Sequence, residues 1–530
     1  MVHTFESKLC SLRKKKGNAI PAKNRSLCKL DATKKNHVGL FDFGSVSWIW
    51  DRKNDDKIEK LSLVKDCISE LPDDVLVAIL SRLKLKEAAR TSVLSKRWRY
   101  LWAFSQGILE FDVSDFRSLE VSVNNFLNSH RAPTLDELRI RFIRLGVYWW
   151  HFGGQFYSWT NVVIGKRVKK LVLDFRNSGF YPSEYDHSLG SSSFSSLVSL
   201  HMTHNNASPL LIPYFLSNSP LLEELCVTGS CHLDHLRICG SSLKLKHLDL
   251  RYDRIQILEI SAPNLESFQY HESFHSHELF LYHESFWNPE YEERTSIFFY
   301  DVPRLTHVSF RGRYCNKLLA ENLLDLSSFV TQLKSLVLVI SGKHKFMRNF
   351  SQFPTMENLE YLQLSLSKDT DESFLIYFCL LEASPSLRRS SLKLGWSNYG
   401  DIKLEFTRSP EFTRRPKHQC LEVLEIVGFR EDYNHDKLVI HLAEYAPFLE
   451  KIIIDPNRYG CADISIHQAQ KLQSSLPPSV ELEILCYGLF RGDHMREESS
   501  TSPRGVSNDN TILDQSQVCR NTLDGFQYFG

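Results

Sequence analysis

One six-residue pattern, apolar-x-x-apolar-x-apolar, recurs along most of this 530-residue chain and limits its fold more than any other feature. Clear copies start at Leu135, Val168, Leu197, Leu222, Leu233, Leu245 and Ile255. Further copies start at Leu265, Leu305, Leu333, Leu359, Leu421 and Leu449. The last two apolar positions alternate, so they point to one face of a strand. The first packs under the same core as the chain turns into that strand. A unit this small cannot bury its own face, so neighbours stack and share one continuous core. Repetition of one pattern argues against a non-repetitive α/β or all-β domain with Leu-rich strands.

Start-to-start distances run mostly from 25 to 34 residues, with 10 to 12 between Leu222 and Leu265. Long spacings leave room for a helix or 3₁₀ segment, and short ones only for a turn. A degenerate copy at Leu387 carries Ser390 at an apolar position. An Asn three residues past the last apolar position occurs at Asn205 and is absent from most copies. Between Leu265 and Leu305 the period breaks in an aromatic, polar insert with Tyr-His-Glu-Ser-Phe at Tyr270 and again at Tyr282. Such an insert reads either as a recognition loop or as a further degenerate repeat pair.

Ahead of the repeats the periodicity becomes helical. Pro72 suits a first helical turn, and Asp73 and Asp74 place charge at the positive end of the helix dipole. Leu76, Ile79, Leu80 and Leu83 then share one face. A second helix is expected over Lys86–Leu94, and a third, N-capped by Ser95, carries Trp98, Leu101 and Trp102. So short a module cannot bury all its apolar groups. Some of Leu71, Pro72, Leu76, Leu80, Val93, Trp98 and Leu101 are expected to face a partner. Periodicity alone leaves open a second reading, a helical cap on the next domain.

The residues themselves add to this. Leu71-Pro72-Asp73-Asp74, Ile79-Leu80-Ser81-Arg82-Leu83 and the run from Thr91 to Trp102 resemble the F-box in its plant form. That resemblance implies docking on a Skp-type adaptor and, through it, a cullin and a RING subunit. Carried over by position, the adaptor-binding residues are Leu71, Pro72, Leu76, Ile79, Leu80, Leu83, Val93, Ser95 and Trp98, with Leu101 beside them. Lys84 departs from the Pro of many plant members, which puts the turn between the first two helices in question. The repeats resemble irregular leucine-rich repeats. Near the C-terminus, Gly428-Phe429, a helix ending at Ala446-Pro447, and Leu449-Glu450-Lys451 resemble the FBD domain, and a last strand is expected at Val480–Leu485. This unit reads physically as a cap on the solenoid.

The expected fold class is therefore α/β. A three-helix F-box (65–106) precedes a leucine-rich-repeat solenoid with parallel strands (109–415), capped by an FBD-like unit (418–490). A basic leader (1–64) and a tail (491–530) are expected to be disordered. Residues 1–36 hold ten Lys/Arg against Glu6 and Asp31, read as a solvated leader in preference to an import signal.

A net charge of +1 gives no field for nucleic acid or an anionic membrane. The 12 Cys follow no framework and read as reduced thiols, which places the protein in nucleus or cytoplasm. No apolar run is long enough to span a bilayer. Phosphate-loop, zinc-hydrolase and nucleophile-elbow motifs are absent, as is any C-x-x-C pair. His271, His275, His277 and His283 with Glu272 and Glu278 read as solvated side chains, so neither metal nor cofactor is expected. The sequence thus points to a non-catalytic substrate receptor of a ubiquitin ligase that holds a target protein. A protein-binding scaffold outside any ligase is the alternative.

Overall fold

The computed structural model describes residues 68, 70–113, 116–143, 158–177, 193–204, 211–272, 295–340, 353–366, 371–394, 417–429, 435–455 and 471–485. The basic leader, Asn205, the second Tyr-His-Glu-Ser-Phe copy and the polar tail lie outside the described residues.

Among the described residues, fifteen strands join one parallel sheet. They are β1 Ile108–Val113, β2 Glu137–Ile143, β3 Lys170–Asn177, β4 Ser199–His204, β5 Glu224–Cys239, β6 His247–Ser261, β7 Ser267–Glu272 and β8 Ser296–Phe299. They continue as β9 His307–Arg311, β10 Ser335–Val339, β11 Tyr361–Leu366, β12 Arg389–Leu394, β13 Val423–Val427, β14 Lys451–Asp455 and β15 Glu481–Ile484. Strand order follows chain order, except that β9 pairs with β7 while β8 pairs with β6. The sheet is the one the repeat pattern demands. In the thirteen clear copies every apolar position is at most 5% exposed and belongs to one core.

Backbone bonds fix the stacking from repeat to repeat. The leading Leu donates its N–H to the carbonyl three residues back, as Leu222 does to Ser219, Leu305 to Val302 and Leu387 to Ser384. The next two N–H groups converge on one carbonyl of the preceding repeat. Glu223 and Glu224 meet Val198, Lys246 and His247 meet Glu223, and Glu450 and Lys451 meet Glu422. This ladder satisfies the turn backbone without an Asn side chain in each copy. Side chains at the same position add ion pairs at the rim, such as Asp136–Lys169 (3.3 Å) and Glu223–Lys246 (2.9 Å). Such exposed pairs contribute little.

Long spacings hold helices, as their length predicts. Among the described residues of the repeat region, α-helices lie at Phe116–Ser129, Ser158–Gly165, Leu211–Asn218, Arg313–Ala320, Asp371–Glu382 and His435–Tyr445. The compact stretch differs from expectation. The copies at Leu222 and Leu233 lie on the single strand β5, and those at Leu245 and Ile255 on β6. A register shift between Gly229 and His232 divides the pairing of these strands into two segments. The second segments, 232–239 and 254–261, take the chain position that a helix takes elsewhere, and β8 adds a third strand to them. Leu233, Leu236, Ile255 and Leu258 still bury into the common core. Only ten to twelve residues separate these copies, which is too few for a helix between them, and pairing with β8 completes the second segments as strands.

Glu272 closes this region. Its buried carboxylate accepts from the backbone N–H of Arg313 and of Tyr314 (3.2 Å), and from Thr295 Oγ1 (3.3 Å). It thus caps the helix Arg313–Ala320 from a distant strand. A Cβ on Gly312, whose φ is +95°, would meet the Glu272 Cβ at 2.6 Å.

The FBD-like segment continues the same sheet, since β13 pairs with β12 and β15 with β14. Leu438, Leu442 and Tyr445 bury from the helix His435–Tyr445. Gly428 has φ +84°, and a Cβ there would lie 2.5 Å from the Leu394 carbonyl oxygen. Only glycine meets both demands.

Candidate functional site

The short module ahead of the sheet has two α-helices among the described residues, α1 Asp73–Leu80 and α2 Leu85–Arg90. Pro72 sits just before α1 with φ −58° and ψ 155°, one residue earlier than a first-turn position. The helix expected after Ser95 does not form. Turns lead instead to 3₁₀ helix Leu101–Phe104, after an earlier 3₁₀ turn at Thr91–Val93. Trp98, in the turn, and Leu101, at the start of the 3₁₀ helix, bury into the same small core. The Ser95 hydroxyl accepts weakly from the Trp98 N–H at 3.4 Å. Arg97 clamps the start of the module. It donates to Asp73 Oδ1 (2.7 Å) and to the Leu71 carbonyl.

Burial sorts the ten residues named from the sequence. Leu76, Leu80, Trp98 and Leu101 form the module's own core with Ala88. Those four side chains hold the module together from within. Leu71, Ile79 and Leu83 are half-buried, and Pro72, Val93 and Ser95 are exposed. Sequence reasoning missed three apolar groups that the fold leaves out: Val75, Tyr100 (66% exposed) and Phe104 (45% exposed). Tyr100 and Phe104 face solvent because the chain there turns in 3₁₀ and not α geometry. Their position next to buried Leu101 and Ala103 carried no helical signal. Val93 is also exposed, at 54%.

The module is locked to the sheet. Leu85 of α2 buries with Leu109 and Phe111 of β1 and belongs to the repeat core. Lys84 bridges Ile108 as a parallel pair, so it extends the sheet by one residue. Its φ of −61° is the angle a proline would hold, so the turn keeps its geometry despite the substitution. The Lys84 ammonium also reaches Glu110 on β1 at 2.9 Å, and Arg139 on β2 meets the same carboxylate at 3.4 Å. A Cβ on Gly107 would lie 2.3 Å from the Leu83 carbonyl oxygen. The Ser81 hydroxyl accepts from the Gln106 N–H at 2.9 Å. Buried His130 places Nε2 2.8 Å from the Ser105 carbonyl, and burial lowers its pKa to about 4.

Among the described residues no group of three or more His, Cys, Asp or Glu is placed to hold a metal ion. His271 lies on β7, 3.5 Å from Ser309 Oγ. Its candidate companions His275, His277, Glu278 and His283 lie outside the described residues. No described helix is long and apolar enough to cross a membrane.

Comparison with known proteins agrees with this geometry. The F-box domain model matches residues 68–105, and a leucine-rich-repeat domain model described as At1g61320/AtMIF1, LRR domain, matches residues 108–477. The F-box/FBD/LRR-repeat protein At3g52680 of Arabidopsis thaliana is 30% identical over 226 residues, which is 39% of this chain and 46% of that protein. The chain thus spans about half the length of that relative. The putative F-box/FBD/LRR-repeat protein At5g44960 of Arabidopsis thaliana is 22% identical over 461 residues, covering 79% of this chain and 98% of its own. A chain in the crystal structure of the Rad7 and Elc1 complex in yeast covers 79% of this chain and 89% of its own length. Its TM-score is 0.31 at 14% identity, which carries no argument. The locked helical module, the parallel repeat sheet and these matches agree, and the chain belongs to the plant F-box/FBD/leucine-rich-repeat family.

Proposed function

We propose that the chain is a substrate receptor of an SCF-type cullin–RING ubiquitin ligase. Residues 68–105 dock a Skp-type adaptor, which connects to cullin and RING subunit, and the repeat region holds the target. The observation that carries the reading is the exposed apolar surface of Pro72, Val93, Tyr100 and Phe104 on a module fixed to the sheet. Leu71, Ile79, Leu83 and Ser95 are the other carried-over positions that reach solvent. Leu76, Leu80, Trp98 and Leu101 act from beneath by holding its shape. The protein supplies no reacting group. It acts by holding target and donor near each other, which raises their effective concentration. Nucleus and cytoplasm are the compartments where such a complex meets its targets.

A pull-down of adaptor and cullin by the intact chain and by a Leu71→Ala/Pro72→Ala/Val93→Ala variant tests this. Capture by the intact chain, lost in a variant that melts at the same temperature, supports it. Absence of capture by the intact chain overturns it and leaves a scaffold outside any ligase.

A further inference from the structure

On the sheet face turned away from the core, charge is distributed unevenly. From β7 through β12, the outward side chains on β7, β9, β10, β11 and β12 include no Asp or Glu. They include three permanent cations: Arg311 on β9, and Arg389 and Lys393 on β12. None of the three meets a carboxylate among the described residues, and the Arg389 Nε–H is buried without a hydrogen-bond partner. The carboxylates flanking this sector on the same face are Asp249, held by Arg251 at 2.8 Å, and Glu425 on β13. Glu266 and Glu360 precede their strands, at the rim. Between the cations lie the half-buried Val337 and Val339 of β10. A desolvated guanidinium edge with no internal acceptor is costly unless an external anion meets it.

The register gives a spacing. Arg311 pairs with Val339, Val339 with Ser365, and Lys393 with Ser365, so these four residues form one row across β9 to β12. Three strand steps of about 4.8 Å separate Arg311 from Lys393 by about 14 Å. An extended peptide rises about 3.4 Å per residue, so its residues i and i+4 span that distance. Residues i, i+2 and i+4 also project to the same side.

We propose that this sector receives an acidic segment of the target, with carboxylates at i and i+4 on Arg311 and Lys393 and an apolar residue at i+2 over Val339. The proposal rests on the reading that the repeat region holds the target. A peptide fits better than a nucleic acid, because Tyr361 is the single Phe, Trp or Tyr among the outward positions and stacking platforms need several.

The test is fluorescence anisotropy on the full chain with labelled nine-residue peptides, in the absence of any adaptor. One peptide carries Glu-x-Leu-x-Glu, one Gln-x-Leu-x-Gln and one Lys-x-Leu-x-Lys. The acidic peptide is expected to bind at least tenfold tighter than the neutral one, with affinity falling as salt rises. An Arg311→Glu/Lys393→Glu variant, folded by circular dichroism, is expected to lose the acidic peptide and prefer the basic one. Arg389→Gln, which removes the charge and shortens the side chain while keeping an amide donor, is expected to weaken the acidic peptide severalfold. Equal binding of acidic and neutral peptides, an unchanged preference in the variant, or displacement by a single-stranded oligonucleotide in place of peptide binding would overturn the proposal. Adaptor capture is measured separately, so failure here with capture intact leaves the docking reading standing.

Discussion

The Tyr377 hydroxyl lies 2.7 Å from the Ser390 hydroxyl inside the repeat core, and both residues are fully buried. Ser390 also donates to the Leu362 carbonyl at 3.3 Å. The polar residue at the one degenerate repeat position is therefore a partner for the helix Asp371–Glu382, from which Tyr377 projects.

Ser390→Ala is expected to cost about 1–3 kcal/mol, because the tyrosine hydroxyl stays buried with its partner gone. Ser390→Leu, which restores the repeat pattern, is expected to cost more by overpacking. Urea unfolding of Ser390→Ala, Tyr377→Phe and the double variant closes a cycle. The double variant should lose less than the two single losses added. Strict additivity would show that the two hydroxyls do not depend on each other.

Surface and core of the module should separate cleanly. Val93→Ala is expected to leave the melting temperature within error while weakening adaptor capture. Trp98→Ala is expected to cost about 3–5 kcal/mol of stability, because a fully buried indole is removed. Paired thermal melts and pull-downs distinguish the two effects. Equal melting losses would contradict the sorting by burial.

Acid should loosen the junction between module and sheet. His130 has its pKa lowered from 6.5 to about 4, chiefly by burial. The folded state therefore binds fewer protons than the unfolded state between those values. Stability is fully present above about pH 6.5 and falls as pH drops toward 4, by up to about 3 kcal/mol from this residue. His130→Gln should flatten the difference between pH 7 and pH 5 in urea titrations. An unchanged pH slope in that variant would assign the acid sensitivity elsewhere, with His271 and His418, also lowered by burial, as the next residues to replace.

Gly428→Ala combines a forced positive φ with a Cβ driven onto the Leu394 carbonyl. Its expected cost exceeds the roughly 1 kcal/mol typical of a Gly-to-Ala change in strained backbone alone. Limited proteolysis should then cut first near β13 and β14. A variant as resistant as the parent would show that Leu394 yields at little cost.

The sequence by itself determined the stacked strands. Thirteen copies of one apolar-x-x-apolar-x-apolar pattern leave a parallel ladder as the arrangement that buries every copy, and each of those side chains is in the core. It also determined that a helical apolar module precedes them, because i, i+3, i+4 spacing is local. Tertiary structure alone decided the rest. Whether Leu76 or Val93 faces a partner depends on what packs over each, and Trp98 covers the first and nothing described covers the second. The copies at Leu233 and Ile255 extend β5 and β6 because β8, from beyond the insert, completes their pairing. Ser390 is tolerated in the core because Tyr377 reaches it from another element. Periodicity records which side chains leave water. It does not record which distant group meets them, because that choice is made by neighbours the chain brings together only on folding.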